Sequence, residues 1–253
     1  MDIDLGTIEH FRKLDNVPKY LFQSAIFPAS SKIRNEDQVR KTVKTFSGRD
    51  IEVSHPGFTQ FDLAVSIAYK KIINKCGRFE NVTFSLSDFA KCLNRIDGGK
   101  TRKFILEAFR KSNSFSLAFD FGNGNSFGGY RLNNFQETSS GEFNIDFNLD
   151  YMSVVYTKED LCEMDLDLYL DLPCGLISWL YGFICTEPTL KNVSLDSLHY
   201  LSGSNYKHSS DFKKAVKYAL AYLQKRNIID WRYGVTRDDS VYWDKKQLQI
   251  GCL

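Results

Sequence analysis

Ser210-Asp-Phe-Lys-Lys-Ala-Val-Lys-Tyr-Ala-Leu-Ala-Tyr-Leu-Gln-Lys-Arg226 is the stretch of sequence that decides the fold of this chain. It predicts an amphipathic helix, because its apolar residues recur at the spacing of one helical face. Its lysines fall on the opposite face, and Lys225 and Arg226 suit the negative C-terminal end of the helix dipole. The apolar stripe consists of Phe212, Ala215, Val216, Ala219, Leu220 and Leu223.

The structural phrase around this helix occurs twice. Residues 194–243 predict a short helix, a turn, the basic helix and then two strands joined by a polar turn, and residues 85–133 repeat that order. Helix-turn-helix followed by a β-hairpin is the winged-helix arrangement, whose second helix enters the major groove of DNA. The sequence therefore predicts an α+β fold with two tandem winged-helix domains that grip successive grooves of one duplex. The predicted elements are 87–95, 100–111, 114–121 and 130–135 in the first copy, and 195–202, 210–226, 228–233 and 241–244 in the second.

The N-terminal half carries further patterned segments. Residues 41–46 and 50–55 flank Ser-Gly-Arg and predict a hairpin. Thr59 precedes a helix that runs to residue 75, with Gly77 as its stop. Strict alternation of apolar and polar residues predicts half-buried strands at 114–121 and 143–149.

The domain boundaries follow from composition. Residues 1–17 predict a flexible N-terminal arm, 18–156 the N-terminal winged-helix domain, and 173–253 the C-terminal winged-helix domain. Between the two domains, residues 157–172 are predicted to be an acidic connector, because the stretch from Glu159 to Asp171 holds six acids and no base. Pro173 suits the first turn of the helix that follows.

Composition limits the classes of protein. At 253 residues the chain can form two ordinary domains, and 43% hydrophobic with 25% charged residues is typical of globular proteins. Six scattered cysteines without a Cys-x-x-Cys pair indicate reduced thiols. We expect a soluble, cytoplasmic protein without membrane contact, because no signal peptide is visible and the longest apolar run, 176–185, is shorter than the ~20 residues of a spanning helix.

The net charge of +2 does not indicate binding of nucleic acid, but the local distribution of charge does. Each basic helix has only one acid, Glu107 in the first and Asp211 in the second. Long cationic side chains on an exposed helical face reach phosphates, and cations near the two hairpins would make each hairpin a wing against the DNA backbone. The alternative is that any surface helix carries lysines, but recurrence in both units favours DNA. The predicted DNA-binding residues are Lys100, Arg102, Lys103, Arg110, Lys111, Arg131, Lys207, His208, Lys213, Lys214, Lys217, Arg232 and Arg237.

Catalysis finds little support in the sequence. Four scattered histidines show no metal-ligand spacing. The glycine-rich stretch 123–129 lacks the Gly-Lys-Ser/Thr of a phosphate loop and predicts a hairpin turn. We therefore expect no enzymatic activity, no cofactor and no metal.

Several segments resemble the TrfA-type replication initiators of iteron-bearing plasmids. Leu172-Pro-Cys-Gly-Leu-Ile-Ser-Trp-Leu-Tyr-Gly-Phe183 is similar to that family's Leu-Pro-x-Gly-Leu-x-x-Trp-Leu-x-Gly phrase, and Phe22-Gln-Ser-Ala-Ile-Phe27 to its Arg-Ser-Ala-Leu-Phe opening. The resemblance implies tandem winged-helix domains that bind repeated origin sites (iterons) in double-stranded plasmid DNA and promote origin melting. It also implies recruitment of host replication proteins such as helicase and the sliding clamp, and a possible homodimer through the N-terminal domain.

One peptide could contact the sliding clamp. Tyr169-Leu-Asp-Leu-Pro173 resembles the family's Gln-Leu-Ser/Asp-Leu clamp-binding peptide, with Tyr169 in place of glutamine. The resemblance implies that Leu170, Asp171 and Leu172 bind the clamp. The alternative is that the two leucines pack between the domains.

Two other functions remain open from the sequence. The same fold could serve a transcriptional repressor, which binds operators and recruits nothing. It could also be a protein-interaction scaffold, which would show no salt-sensitive affinity for DNA.

Overall fold

The computed structural model describes residues 16–30, 41–54, 57–120, 126–156 and 161–245. Strands and helices both occur throughout these ranges. The described helices are α1 (Gln60–Cys76), α2 (Leu86–Cys92), α3 (Gly99–Asn113), α4 (Leu149–Val155), α5 (Leu166–Asp171), α6 (Leu176–Thr186), α7 (Leu195–Ser202) and α8 (Ser209–Lys225). The described strands are β1 (Asn16–Pro18), β2 (Lys41–Lys44), β3 (Asp50–Ser54), β4 (Val82–Phe84), β5 (Ser116–Asp120), β6 (Ser126–Tyr130), β7 (Leu132–Glu137), β8 (Phe143–Phe147), β9 (Leu161–Glu163), β10 (Thr189–Ser194), β11 (Ile229–Val235) and β12 (Ser240–Lys245).

The first winged-helix unit consists of α1, β4, α2, α3, β7 and β8. Its antiparallel sheet has the strand order β4-β8-β7, with Phe84 opposite Phe143. The wing is the β7–β8 hairpin, whose turn ends at Gly141 with a φ of 77°. Such a left-handed conformation is readily adopted by glycine.

The second unit repeats this topology with α6, β10, α7, α8, β11 and β12. Its sheet has the order β10-β12-β11, again first, third and second strand in chain order. The predicted α+β fold with winged-helix domains is confirmed.

The same local chemistry starts and ends the short helix of each unit. Ser85 accepts a hydrogen bond from the backbone N–H of Asp88 at 3.1 Å, and Ser194 accepts one from Ser197 at 3.1 Å. Serine at this position satisfies a helical N–H that otherwise has no partner. Left-handed residues, Asn94 and Gly203, then redirect the chain toward the longer helix.

The wing predicted for the first unit is wrong. The predicted partner strands, 114–121 and 130–135, do not form one hairpin. Instead β5 lies between β3 and β6 in a separate sheet of order β2-β3-β5-β6. Buried Val53 of β3 lies opposite Leu117 of β5, so an apolar face shared with a distant strand decides the pairing.

Other predictions for the N-terminal half are confirmed. β2 and β3 form the predicted hairpin. Helix α1 begins where Thr59 donates its N–H to the Asp62 carboxylate at 2.7 Å, and it ends at Gly77 with a φ of 69°. The strand predicted at 143–149 is β8.

The acidic stretch predicted as a connector is folded. β9 pairs with β1, and Asp165 caps α5 by accepting the N–H of Leu168 at 2.9 Å. Asp167 and Asp171 face solvent on α5 while Leu166 is buried, so the acids form the outer face of an amphipathic helix. Residues 16 and 17 of the predicted arm belong to β1, whereas residues 1–15 and 157–160 lie outside the described residues. The domain boundaries themselves stay a prediction.

Buried polar contacts connect the two units. The side chain of Gln60 in α1 accepts hydrogen bonds from Tyr169 at 3.1 Å and from Ser178 of α6 at 3.4 Å. The N–H of Ala29 donates to the carbonyl of Ser202 at 2.7 Å, which ties the N-terminal segment to α7. No helix within the described ranges has the length and apolar character needed to cross a membrane.

Candidate nucleic-acid interface

Helix α8 presents a solvent-facing surface opposite its core face. Its buried side is anchored by Phe212, whose ring stacks on His199 of α7 at 4.5 Å between centroids. Residues at positions i, i+3, i+7, i+10 and i+14 along the other side are exposed. This exposed stripe consists of Asp211, Lys214, Tyr218, Ala221 and Lys225, with exposed Lys217 beside it.

Helix α3 presents the corresponding surface in the first unit. Ile105, Ala108 and Phe109 are buried against the core. Opposite them, a stripe at the same helical spacing is exposed. It consists of Lys100, Lys103, Glu107 and Arg110.

One cation in each helix is held by a carboxylate of its own unit. Arg102 donates from Nε and Nη2 to the two carboxylate oxygens of Asp97, at 2.7 and 2.8 Å. This bidentate contact lowers the pKa of Asp97 below its ordinary value. In the second unit Lys213 forms an ion pair with Asp239 of the wing turn. Both cations were predicted to bind phosphate, and both would have to leave or share a carboxylate to do so.

Lys111 is also engaged. Its ammonium group lies 3.2 Å from the carboxylate of buried Asp62 and donates to the carbonyl of Gly57 at 3.1 Å. These contacts border a cleft of about 320 Å³ between α1, α3 and the start of α6. Lys111 therefore links α3 to the start of α1, and only part of its side chain faces solvent.

The predicted wing contact of Arg131 is wrong. Only 7% of Arg131 is exposed. Its Nη1 donates to Ser66 at 2.6 Å, and its guanidinium lies 4.4 Å from the ring centroid of Phe115. Because residue 131 joins β6 to β7 inside the unit, its charge cannot reach a phosphate without opening the core.

The cations of the second wing are exposed. Arg237 lies in the β11–β12 turn, which Thr236 and Ser240 close through backbone and side-chain hydrogen bonds. Arg232 is exposed on β11, with its guanidinium 3.4 Å from Asp244.

The remaining predicted residues flank the two helices. Lys207 and His208 are exposed immediately before α8, and His208 is the residue that precedes its first turn. At the start of α3, the ammonium of exposed Lys100 lies 5.9 Å from the ring centroid of Phe104.

The two leucines of the predicted clamp-binding peptide are buried, and clamp binding stays a prediction. Leu170 and Leu172 are only 2% and 1% exposed, and Asp171 alone faces solvent. Helix α5, which includes Leu170, contacts both α1 and α6, and both leucines belong to the hydrophobic core. A partner could bind them only by pulling them out of the core, which costs the free energy of their burial.

Two exposed aromatic residues were missed by the sequence reasoning. Tyr218 on α8 is 65% exposed, and Trp231 is 75% exposed where the β11–β12 register shifts between residues 229 and 233. Tyr218 could have been found from helical spacing, because it lies one turn beyond Lys214. The exposure of Trp231 could not have been found from the sequence, because it lies where the pairing of β11 with β12 is irregular.

Metal ligands are not clustered in the described ranges. Within them, no three or more His, Cys, Asp or Glu side chains come together to hold an ion.

The structure of this chain is similar to solved structures, whereas its sequence is not similar to known families or curated proteins. No family model matches the sequence, and no curated protein matches it. The crystal structure of selenomethionine derivatives of domains 2 and 3 of RctB, a replication initiator of Vibrio chromosome II, matches with a TM-score of 0.61 and 13% identity, over 90% of this chain and 99% of that one. A second structure of RctB domains 2–3 matches with a TM-score of 0.52 and 12% identity, over 90% and 97%. The chain shares the fold of RctB domains 2 and 3. At this identity the match shows a shared fold, and it does not support the TrfA type in particular.

Proposed function

We propose that this chain is a DNA-binding replication initiator that places α3 and α8 in successive grooves of one duplex. The observation that carries the proposal is the repetition of one topology, with an exposed cationic second helix in each copy. The likeness to RctB domains 2–3 over nearly the whole of that chain supports the replication role.

The sequence resemblance to TrfA-type replication initiators suggests the DNA sites and the partners. The DNA sites are repeated origin sequences on a plasmid, and bound copies promote melting and recruit a host helicase. The N-terminal unit also mediates homodimerisation. The proposal contains no catalytic step and no cofactor.

The lysines of α8 that would bind phosphate are those that no carboxylate engages strongly. Lys217 is exposed beside the α8 stripe, and the contact of Lys214 with Asp211, at 3.4 Å on a side chain 80% exposed, is weak. Each lysine that binds a phosphate releases a condensed counterion, which makes affinity depend on salt.

The test is duplex binding as a function of salt concentration. The Lys214→Gln, Lys217→Gln double variant should bind a duplex of the DNA beside its own gene more weakly, and the slope of log affinity against log salt should fall by about 0.9 per lost contact. Lys75→Gln is the matched control, because Lys75 is an exposed lysine in the last turn of α1, near Asp88 of α2, and belongs to neither second helix. An unchanged slope in a folded double variant would contradict the proposal.

Melting separates initiation from simple binding. Chemical probing of unpaired thymines in supercoiled DNA should show opening next to the bound sites. Binding without opening would leave the repressor as the better interpretation.

A further inference from the structure

The second helices of the two units correspond residue by residue. Their buried positions follow the same order at a constant separation in sequence, so α3 and α8 can be aligned without gaps. The two helices also contact the equivalent strand of their own sheets, because α3 packs on β7 and α8 packs on β11, in each case the second strand in chain order. The matching buried residues are Ile105, Ala108, Phe109 and Ser112 in α3, and Val216, Ala219, Leu220 and Leu223 in α8; α8 buries one more, Phe212, where α3 has half-buried Thr101.

This alignment matches the features that hold each helix in place. Arg102 corresponds to Lys213, and each forms an ion pair with a carboxylate from a neighbouring loop or turn. Lys103 corresponds to Lys214, and both are exposed. Positioning and phosphate attraction are thus shared by the two units and cannot distinguish one base sequence from another.

The next exposed positions differ completely. One turn beyond the shared lysine, α3 has Glu107 and α8 has Tyr218. Two turns beyond it, α3 has Arg110 and α8 has Ala221. All four are exposed, and they lie on the same stripe as the lysine because residues four and seven apart share a helical face.

These differences match different base pairs. A carboxylate such as Glu107 accepts a hydrogen bond from the amino group of cytosine, and an arginine such as Arg110 donates two to guanine. An alanine methyl group packs on the methyl of thymine, and it lets the helix approach the bases closely. The hydroxyl of Tyr218, which is 65% exposed, is then free to bond a base edge or backbone beside that contact.

We infer that the two units read unlike sequences: α3 selects G·C pairs through Glu107 and Arg110, and α8 selects thymine-containing pairs through Ala221 and Tyr218. This inference rests on the proposed function. It makes the DNA site a pair of dissimilar halves and gives the bound protein one orientation on the duplex.

The test is selection from a library of random-sequence duplexes with the full chain. The selected sites should contain two halves about one helical turn, or a multiple of it, apart, one dominated by G·C and the other by A·T. A second selection uses the Tyr218→Glu, Ala221→Arg double variant, which gives α8 the stripe of α3. Its A·T half should change to G·C, and its affinity for the original site should fall by roughly 5- to 150-fold.

A charge control separates base reading from phosphate attraction. Lys214→Gln should weaken binding to all duplexes alike and leave the selected sequence unchanged. Urea unfolding of each variant verifies that these surface changes keep the fold.

The outcomes distinguish this inference from the proposed function. Two like halves, or an unchanged preference in the double variant, would overturn the inference while salt-dependent binding keeps the DNA-binding role. Failure to retain any duplex, even at low salt, would overturn both.

Discussion

The ring of Phe22 lies against the backbone of Gly182, so close that a methyl group on Gly182 would come within 2.0 Å of the ring. Phe22 is fully buried, and its ring also packs edge-on against Tyr169 at 5.7 Å between centroids. The N-terminal segment is thereby held on α6, the first helix of the second unit. This contact, together with the bonds of Gln60, joins the two units through a packed core.

Substitution of Gly182 by alanine should loosen this joint. The added methyl overlaps the fully buried ring of Phe22, and overpacking of this kind costs about 1–3 kcal/mol. The free energy of unfolding, measured in urea, should fall by about that amount.

Gly99→Ala is the matched control. A methyl group at Gly99 meets nothing within 4 Å, and the position lies in the first turn of α3. Alanine is the better helix former, so stability should stay level or rise by up to about 1 kcal/mol. Equal destabilisation by both substitutions would contradict the role given to Phe22.

Arg131 and Arg237 should behave in opposite ways. Arg131→Ala removes a buried guanidinium that bonds Ser66 and covers Phe115, so stability should fall by about 1–3 kcal/mol while DNA affinity per folded molecule stays the same. Arg237→Ala should leave stability within about 0.5 kcal/mol and weaken DNA binding. Paired urea and salt-titration experiments test this, and lost affinity in a still-folded Arg131→Ala variant would show that the buried assignment is wrong.

Asp239 should restrain Lys213. Asp239→Asn removes the carboxylate that holds Lys213, and asparagine tolerates the left-handed conformation, φ of 59°, at this position. The freed ammonium can then bind phosphate, so the salt slope of DNA binding should steepen by up to about 0.9.

Asp238→Asn provides the control for charge alone. It removes one negative charge from the same wing turn, but the Asp238 carboxylate accepts from Ser240 at 3.1 Å and is not the partner of Lys213. If both variants steepen the slope equally, general repulsion rather than the ion pair accounts for the effect.

Tyr69 should make the fold sensitive to alkali. Burial raises the pKa of Tyr69 well above its ordinary value, because the charged phenolate would lose its water. The folded state therefore favours the neutral form, and stability that is complete below about pH 10 is lost as the pH rises and unfolded tyrosine ionises. Burial also raises the pKa of the Cys162 thiol, to about 12, which adds loss of stability above pH ~9.

Tyr69→Phe tests this relation directly. The hydroxyl of Tyr69 makes no hydrogen bond of ordinary geometry among the described residues, although Ser112 lies near it, so the variant should be about as stable as the parent at neutral pH. Between about pH 8 and about pH 10.5, its urea midpoint should fall less than that of the parent. An identical fall in the two proteins would exclude Tyr69 as a source of the alkaline instability.

The helices and the duplication follow from sequence patterns alone. The apolar stripe from Phe212 to Leu223 is local, and a period of 3.6 residues determines which face is buried wherever the helix packs. Helices α3 and α8 and the α+β winged-helix class could therefore be predicted without coordinates. So could the exposure of Lys103, Lys214 and Lys217.

Only the tertiary structure decided which strands pair and which polar residues lie inside. β5 pairs with β3, more than 60 residues earlier in the chain, and that choice moves the first wing to β7–β8. The tertiary structure also buries Arg131, Leu170 and Leu172, whose sequence neighbourhood is the same whether they face solvent or core. Periodicity predicts which face of a helix or strand is buried. Whether a single side chain is buried depends on which distant segment packs against it.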